Sequence, residues 1–261
     1  MSTKLDPAER SARGVALQTK IYGQTPPEPQ TPWEESIRDF VYAEVWNRPG
    51  LDLRSRFLIG LAGAALCRFP QGTIDGIVLG ALQTGEITLA EMREAALHLA
   101  VYGGWGTGDL IDKAATRAAE KLALPKAERP PIRAGTWDPD ERTATGQEEF
   151  IKAMTFPGGP SSNPFQEAIN NFVFGEMWPR EGLDQRSRRW LTLVGVAESR
   201  AEIPIKSHFH AAMASGNCTP EEMKEFVLAY GLCAGWPKAS AVNGIVLEMI
   251  AKVEAGLPWN G

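Results

Sequence analysis

The 261 residues contain three histidines, His98, His208 and His210. Two of them fall in the run Ile205-Lys206-Ser207-His208-Phe209-His210-Ala211-Ala212-Met213. Imidazole is the side chain best suited to carry a proton near neutral pH. Positions i and i+2 of a helix point about 200° apart, so His208 and His210 cannot both face one pocket. His208 is the candidate acid or base, with a satisfied core or surface histidine as the alternative. A carboxylate is the second candidate. Glu176 lies inside Phe172-Val173-Phe174-Gly175-Glu176-Met177-Trp178, and Glu44 inside the similar Phe40-Val41-Tyr42-Ala43-Glu44-Val45-Trp46. Desolvation among such neighbours raises a carboxyl pKa toward the range useful in acid–base chemistry, unless an arginine answers it. The alternative is an internal salt bridge to Arg48 or Arg180, or to the pairs Arg54/Arg56 and Arg186/Arg188. Because the guanidinium fork gives a carboxylate two parallel hydrogen bonds, Arg186 and Arg188 are candidate substrate clamps. Their other reading is as exposed charges in the first turn of a helix. Trp178 and His210 complete the candidate binding set, with core packing the alternative for Trp178 and for Trp46, Trp105 and Trp236.

These residues belong to a repeated pattern. The block Phe40 to Arg56 returns as Phe172 to Arg188, and 176 minus 44 gives an offset of 132. Further on, Thr84-Gly85 to Glu94 matches Ser215-Gly216 to Glu225, and Gly104-Trp105 matches Gly235-Trp236, now offset by 131, which requires a one-residue deletion between. A period this long marks a domain-sized unit rather than a solenoid repeat. At an offset of 131, His208 faces Ile77 and His210 faces Leu79. One copy carries imidazoles where the other carries aliphatics, so a working site is expected in the second copy alone.

Helical spacing runs through the chain, and strand-period alternation bounded by hairpin turns is absent. Helices are expected at Pro7 to Tyr22, Trp33 to Trp46, Ser55 to Leu66 after an Asp52 cap, Gly72 to Gln83, a fourth after Thr88, and Thr107 to Lys121. Their relatives fall at Thr143 to Thr155, Ser187 to Val196 after Asp184, Ile205 to Ala214, a helix after Thr219, and Ala239 to Lys252. Thr88 and Thr219 each precede a glutamate, Glu91 and Glu222, by three residues, which is capping-box spacing. Gly85 and Gly216 are suited to end helices. The expected fold is all-α: an N-terminal helix and Pro-rich arm over residues 1–32, a first unit over 33–124, a linker with a helix over 125–162, and a second unit over 163–257.

Composition narrows the functions. Net charge is −5, the pI is near 5.4 and no Lys/Arg run exceeds an adjacent pair, so a nucleic-acid partner is not expected. Cys67, Cys218 and Cys233 are scattered and odd in number, which fits buried thiols in a reducing compartment rather than a disulfide framework. The charged N-terminus and the lack of a long apolar run lead us to expect a soluble cytoplasmic protein with no membrane partner. His208, His210 and Glu202 lack the i, i+4 spacing of a helical zinc motif, so no metal is expected.

Taken together, Phe-Val-x-x-Glu-x-Trp-x-Arg-x-Gly-Leu-Asp-x-Arg-Ser-Arg, His208 followed by Ala211-Ala212 and Gly216, Thr219-Pro220-Glu221-Glu222, and Gly235-Trp236 resemble the carboxymuconolactone decarboxylase family. The resemblance implies two tandem helical units, a homotrimer with six pseudo-equivalent units, and a cofactor-independent lyase or isomerase acting by proton transfer. Its substrate would be a small carboxylated lactone or keto acid of catabolism, with His208 and Glu176 as the catalytic residues. The related peroxidase branch, which resembles alkylhydroperoxidase D, needs a Cys-x-x-Cys where this chain has Ala201 and Pro204, or Pro70 and Thr73 in the first copy. A non-catalytic binding or scaffold protein of the same fold is the alternative from another class. A thiol peroxidase relying on Cys67 or Cys233 is a third.

Overall fold

A computed structural model describes residues 6–128, 130–133 and 135–261. Residues 1–5 of the N-terminal arm, with Arg129 and Ala134 of the linker, lie outside the described residues. The chain is all-α, and its helices follow one another in the same order through both halves. The first half runs α1 (Pro7–Tyr22), α2 (Pro32–Ser36), π1 (Ile37–Trp46), α3 (Leu53–Leu66), α4 (Gln71–Gln83), α5 (Leu89–Gly103) and α6 (Trp105–Lys121). The second runs α7 (Pro139–Met154), α8 (Pro164–Ala168), π2 (Ile169–Met177), α9 (Gln185–Ser199), α10 (Glu202–Ala214), α11 (Pro220–Ala234) and α12 (Trp236–Glu254).

Local chemistry sets the ends. Asp52 and Asp184 accept the backbone N–H of Ser55 and Ser187, and Thr88 and Thr219 close capping boxes with Glu91 and Glu222. Gly85 and Gly216 follow α4 and α10 with φ of 73° and 75°, a left-handed conformation that costs a residue with Cβ more than glycine. Arg68 and Arg200 take the same conformation after α3 and α9. Since 200 minus 68 is 132 and α4 and α10 start at 71 and 202, the missing residue falls where Phe69-Pro70 is replaced by Ala201 alone.

Two expectations need correction. Trp33 to Trp46 is not one α-helix: after the single turn of α2 the chain widens into π1, and its relative π2 behaves likewise, with Trp178 N–H bonded to the carbonyl of Val173, five residues back. Such segments are rare and recur at functional sites. The helix expected from Thr143 begins instead at Pro139, because Asp138 caps the first turn and Pro139 occupies the position that needs no N–H.

The halves interlock. α3 and α9 cross at the centre of the molecule, α5 of the first half packs on α9 and π2 of the second, and α11 packs on α3 and π1. One apolar core therefore runs through both halves, from Leu58 and Leu61 to Leu191 and Val194. Matching ion pairs rim the seam. Arg48 grips Glu225 through contacts of 2.6–2.9 Å, and Arg180 grips Glu94 at 2.7 and 2.9 Å. Arg54 reaches Asp184 at 3.1 Å and Ser187 at 3.1 Å, while Arg186 reaches Asp52 at 2.8 Å and Ser55 at 3.2 Å. Among the described residues no helix is long and apolar enough to cross a membrane.

Candidate active site

His208 projects from α10 toward α5. Its ring stands edge-on to Tyr102, with centroids 5.7 Å apart, and its buried Nδ1 has no hydrogen-bond partner. Burial, and after it the positive Arg189, lowers its pKa to about 3, so the ring is neutral at physiological pH. Tyr102 and His98 lie one helical turn apart on the face of α5 that meets the second half. The Tyr102 hydroxyl accepts the indole N–H of Trp178 at 2.9 Å, and its pKa is pushed up to about 12 by burial. It is therefore protonated at neutral pH. His98 is also buried, packs edge-on against Trp178 at 5.1 Å, and has its pKa depressed by burial and by Arg188. Guanidinium groups only donate, so the 3.3 Å contact from Arg188 makes His98 Nδ1 an acceptor, leaving Nε2–H to donate to Thr192 Oγ1 at 2.9 Å.

Two cavities flank this cluster. Tyr102 lines one of about 640 Å3 on the seam, together with Cys67, Glu198, Cys233 and Lys238. Trp178 and Arg189 line the other, of about 200 Å3, with Gln185, Ser215 and Asn217. The Trp178–Tyr102 hydrogen bond joins the two walls. In the larger cavity the thiols of Cys67 and Cys233 are pushed up to about 11 and about 12, chiefly by burial. They are protonated at neutral pH, opposite to the thiolate a peroxidase requires.

The other candidates from the sequence have different surroundings. Glu176 is not brought against His208. It accepts from Arg142, from Arg180 at 3.3 Å and from the Arg133 backbone N–H at 3.2 Å. Of the two readings of this carboxyl, the salt bridge to arginine is the one present: burial pushes its pKa upward, but the hydrogen bonds and arginine charges outweigh that and leave it lowered. Arg186 is held by Asp52, Ser55 and Glu222 on the seam and does not face the cluster. Arg188 is buried under the carbonyl of Arg180 at 2.6 Å, where its reach is to His98 and Glu94. His210 gives its Nε2 to the carbonyl of Leu257 at 2.8 Å, anchoring the segment after α12. Trp178 does line the smaller cavity.

Sequence reasoning passed over His98, Tyr102, Arg189 and Thr192, although the repeat held the signal. At the same offsets their counterparts are Ala229, Cys233, Phe57 and Gly60, and His208 matches Ile77. The first half thus fills the equivalent space with apolar groups, and Phe57 packs edge-on to Trp46 at 5.4 Å where Arg189 lies over Trp178 at 4.8 Å. All five polar differences converge on one place, and two of them come from a helix of the first half.

Comparison with known proteins agrees with the motifs. The model of the carboxymuconolactone decarboxylase family matches residues 163–248. A 4-carboxymuconolactone decarboxylase of Acinetobacter baylyi is 34% identical over 85 residues, 33% of this chain and 63% of that relative, so the match spans less than two thirds of its length. A nitrosuccinic acid decarboxylase, npaB, of Metarhizium robertsii is 28% identical over 118 residues, 43% of this chain and 80% of that protein. Both relatives are decarboxylases by name, and residues 163–248 take in π2, α9 and the His208 helix of the second half. Over residues 163–248 the chain is similar to the carboxymuconolactone decarboxylase family.

Proposed function

We propose that the chain is a cofactor-independent decarboxylase-like lyase of small carboxylated lactones or keto acids, with one working site per chain around His208. The observation that carries this reading is the convergence of His208, Tyr102, His98, Thr192 and Arg189 where the first half has only apolar groups. In such a reaction the bond to the departing carboxylate breaks, carbon dioxide leaves, and the electron pair spreads onto the neighbouring carbonyl oxygen. A preorganised donor aimed at that oxygen lowers the barrier. The Tyr102 hydroxyl, protonated and with an oxygen that already accepts from Trp178, supplies such a donor. His208 takes up a proton from water when the anionic substrate binds, delivers it to carbon and returns to the neutral ring. His98 and Thr192 are positioning residues, holding α5 against α9 and fixing the face Tyr102 presents. Glu176 acts in this reading by bracing π2 against α7 and the linker, not by exchanging protons.

By analogy with the family, the assembly is a homotrimer of tandem units. Paired exposed aromatics at equivalent places support a repeated contact surface: Trp33 and Phe165, and Trp105 and Trp236. The test of function is carbon dioxide release from a panel of lactone acids and β-keto acids. His208→Ala should lower kcat on the accepted substrate by about 10²-fold or more. Full turnover in that variant would remove the proposal.

A further inference from the structure

Arg189 holds a positive charge in the interior with no carboxylate against it among the described residues. Its Nε donates to Asn217 Oδ1 at 3.0 Å and its Nη2 to the carbonyl of Ala153 and to Ser215 Oγ at 3.4 Å, while Nη1 is buried without a partner. The neighbouring arginines differ: Arg180 and Arg188 share Glu94, and Arg142 is paired with Glu176. Glu149, at the edge of the same cavity, is occupied by Lys152. An unanswered buried charge is costly, and the first half avoids that cost with Phe57 at the same position. The 200 Å3 cavity that Arg189 lines is somewhat larger than the roughly 150 Å3 that accommodates benzene, enough for a compact organic acid.

We propose that Arg189, with Asn217, Ser215 and Gln185 around it, forms the seat for a carboxylate that the substrate keeps through the reaction, and so selects substrates with at least two carboxylates. The departing group belongs elsewhere. Its negative charge disappears as carbon dioxide forms, so clamping it on a guanidinium would stabilise the ground state more than the transition state. A retained carboxylate keeps its charge throughout, and Arg189 can hold it without that penalty beside Trp178, whose indole N–H ties this cavity wall to Tyr102. This assignment rests on His208 as the reacting centre, yet it can fail separately.

Calorimetric titration of the full chain with succinate and with uncharged propanamide tests it without turnover. Wild type should bind succinate more tightly, and Arg189→Met should weaken succinate by about 10-fold or more while leaving propanamide nearly unchanged, as expected for loss of one charge-assisted pair. Arg189→Lys keeps the charge without the fork, and should fall between. Equal succinate affinity in wild type and Arg189→Met, or no preference for succinate in wild type, would overturn the seat and leave the His208 reading standing. Should Arg189→Met fail to fold, Arg189→Lys binding succinate as well as wild type would equally overturn it.

Discussion

His208 is neutral because it is buried and because Arg189 stands near it, and an anionic ligand would answer the second cause. A carboxylate placed on Arg189 cancels the positive field that opposes protonation, so the affinity of His208 for a proton rises on binding. Succinate binding at pH 6 is therefore expected to take up protons. Titrations in buffers of different ionisation enthalpy should show a buffer dependence of the heat in wild type that differs from that in His208→Ala, the titration of succinate itself being common to both. An equal buffer dependence in the two proteins would mean that the ring stays neutral in the complex and serves as a hydrogen-bond donor only. At the same scale, Tyr102→Phe leaves the Trp178 N–H without its acceptor, a loss of about 1–3 kcal/mol in stability measurable by urea unfolding.

At the scale of elements, Glu176 shows how π2 is held. One carboxylate joins π2 to Arg142 of α7, to Arg180 at the end of its own segment and to the linker backbone. Glu44 of π1 has a single guanidinium contact of this kind, from Arg10 of α1 at 3.4 Å. Because the folded Glu176 carboxyl has a lowered pKa, its stabilisation is complete above the ordinary glutamate pKa of about 4.3 and is lost as pH falls below it. Glu176→Gln should thus lower Tm at pH 7, corresponding to about 1–3 kcal/mol, with the difference from wild type shrinking toward pH 3. A thermal melt series over that range checks the sign. Turnover in the variant, measured well below its Tm, should remain, since Glu176 makes no hydrogen bond to the reacting cluster among the described residues.

For the whole molecule, the interlocking of halves has a consequence for how the chain works. α5, which carries His98 and Tyr102, belongs to the first half by sequence and to the second-half site by packing. The first half has matching helices and seam arginines, but carries Phe57, Gly60 and Ile77 at the positions of Arg189, Thr192 and His208. Ile77→His alone should therefore create no second active site, because Ala229 and Cys233 stand where His98 and Tyr102 would be needed. Self-association belongs to this scale as well. Light scattering is expected to report a trimer, and Trp105→Glu combined with Trp236→Glu to reduce it to single chains, since a buried carboxylate without a partner would destabilise the contact. A monomeric wild type would refute that assembly.

The sequence by itself determined the helical class, the internal repeat of its motifs and the caps at Asp52, Asp184, Thr88 and Thr219, because periodicity and capping are local properties of neighbouring residues. The comparison of copies could also have given His98 and Arg189, whose counterparts are Ala229 and Phe57. Which polar groups meet was decided by tertiary structure alone. Glu176 and Arg186 carry the right chemistry at suggestive spacing, yet they are spent on ion pairs made by residues distant in sequence: Arg142 for the one, Asp52 and Glu222 for the other. The reverse holds for Tyr102, an ordinary aromatic in its own helix, which becomes a site residue only because α5 crosses to the other half. Hydrogen bonds and desolvation depend on distance in space, and separation along the chain does not set that distance.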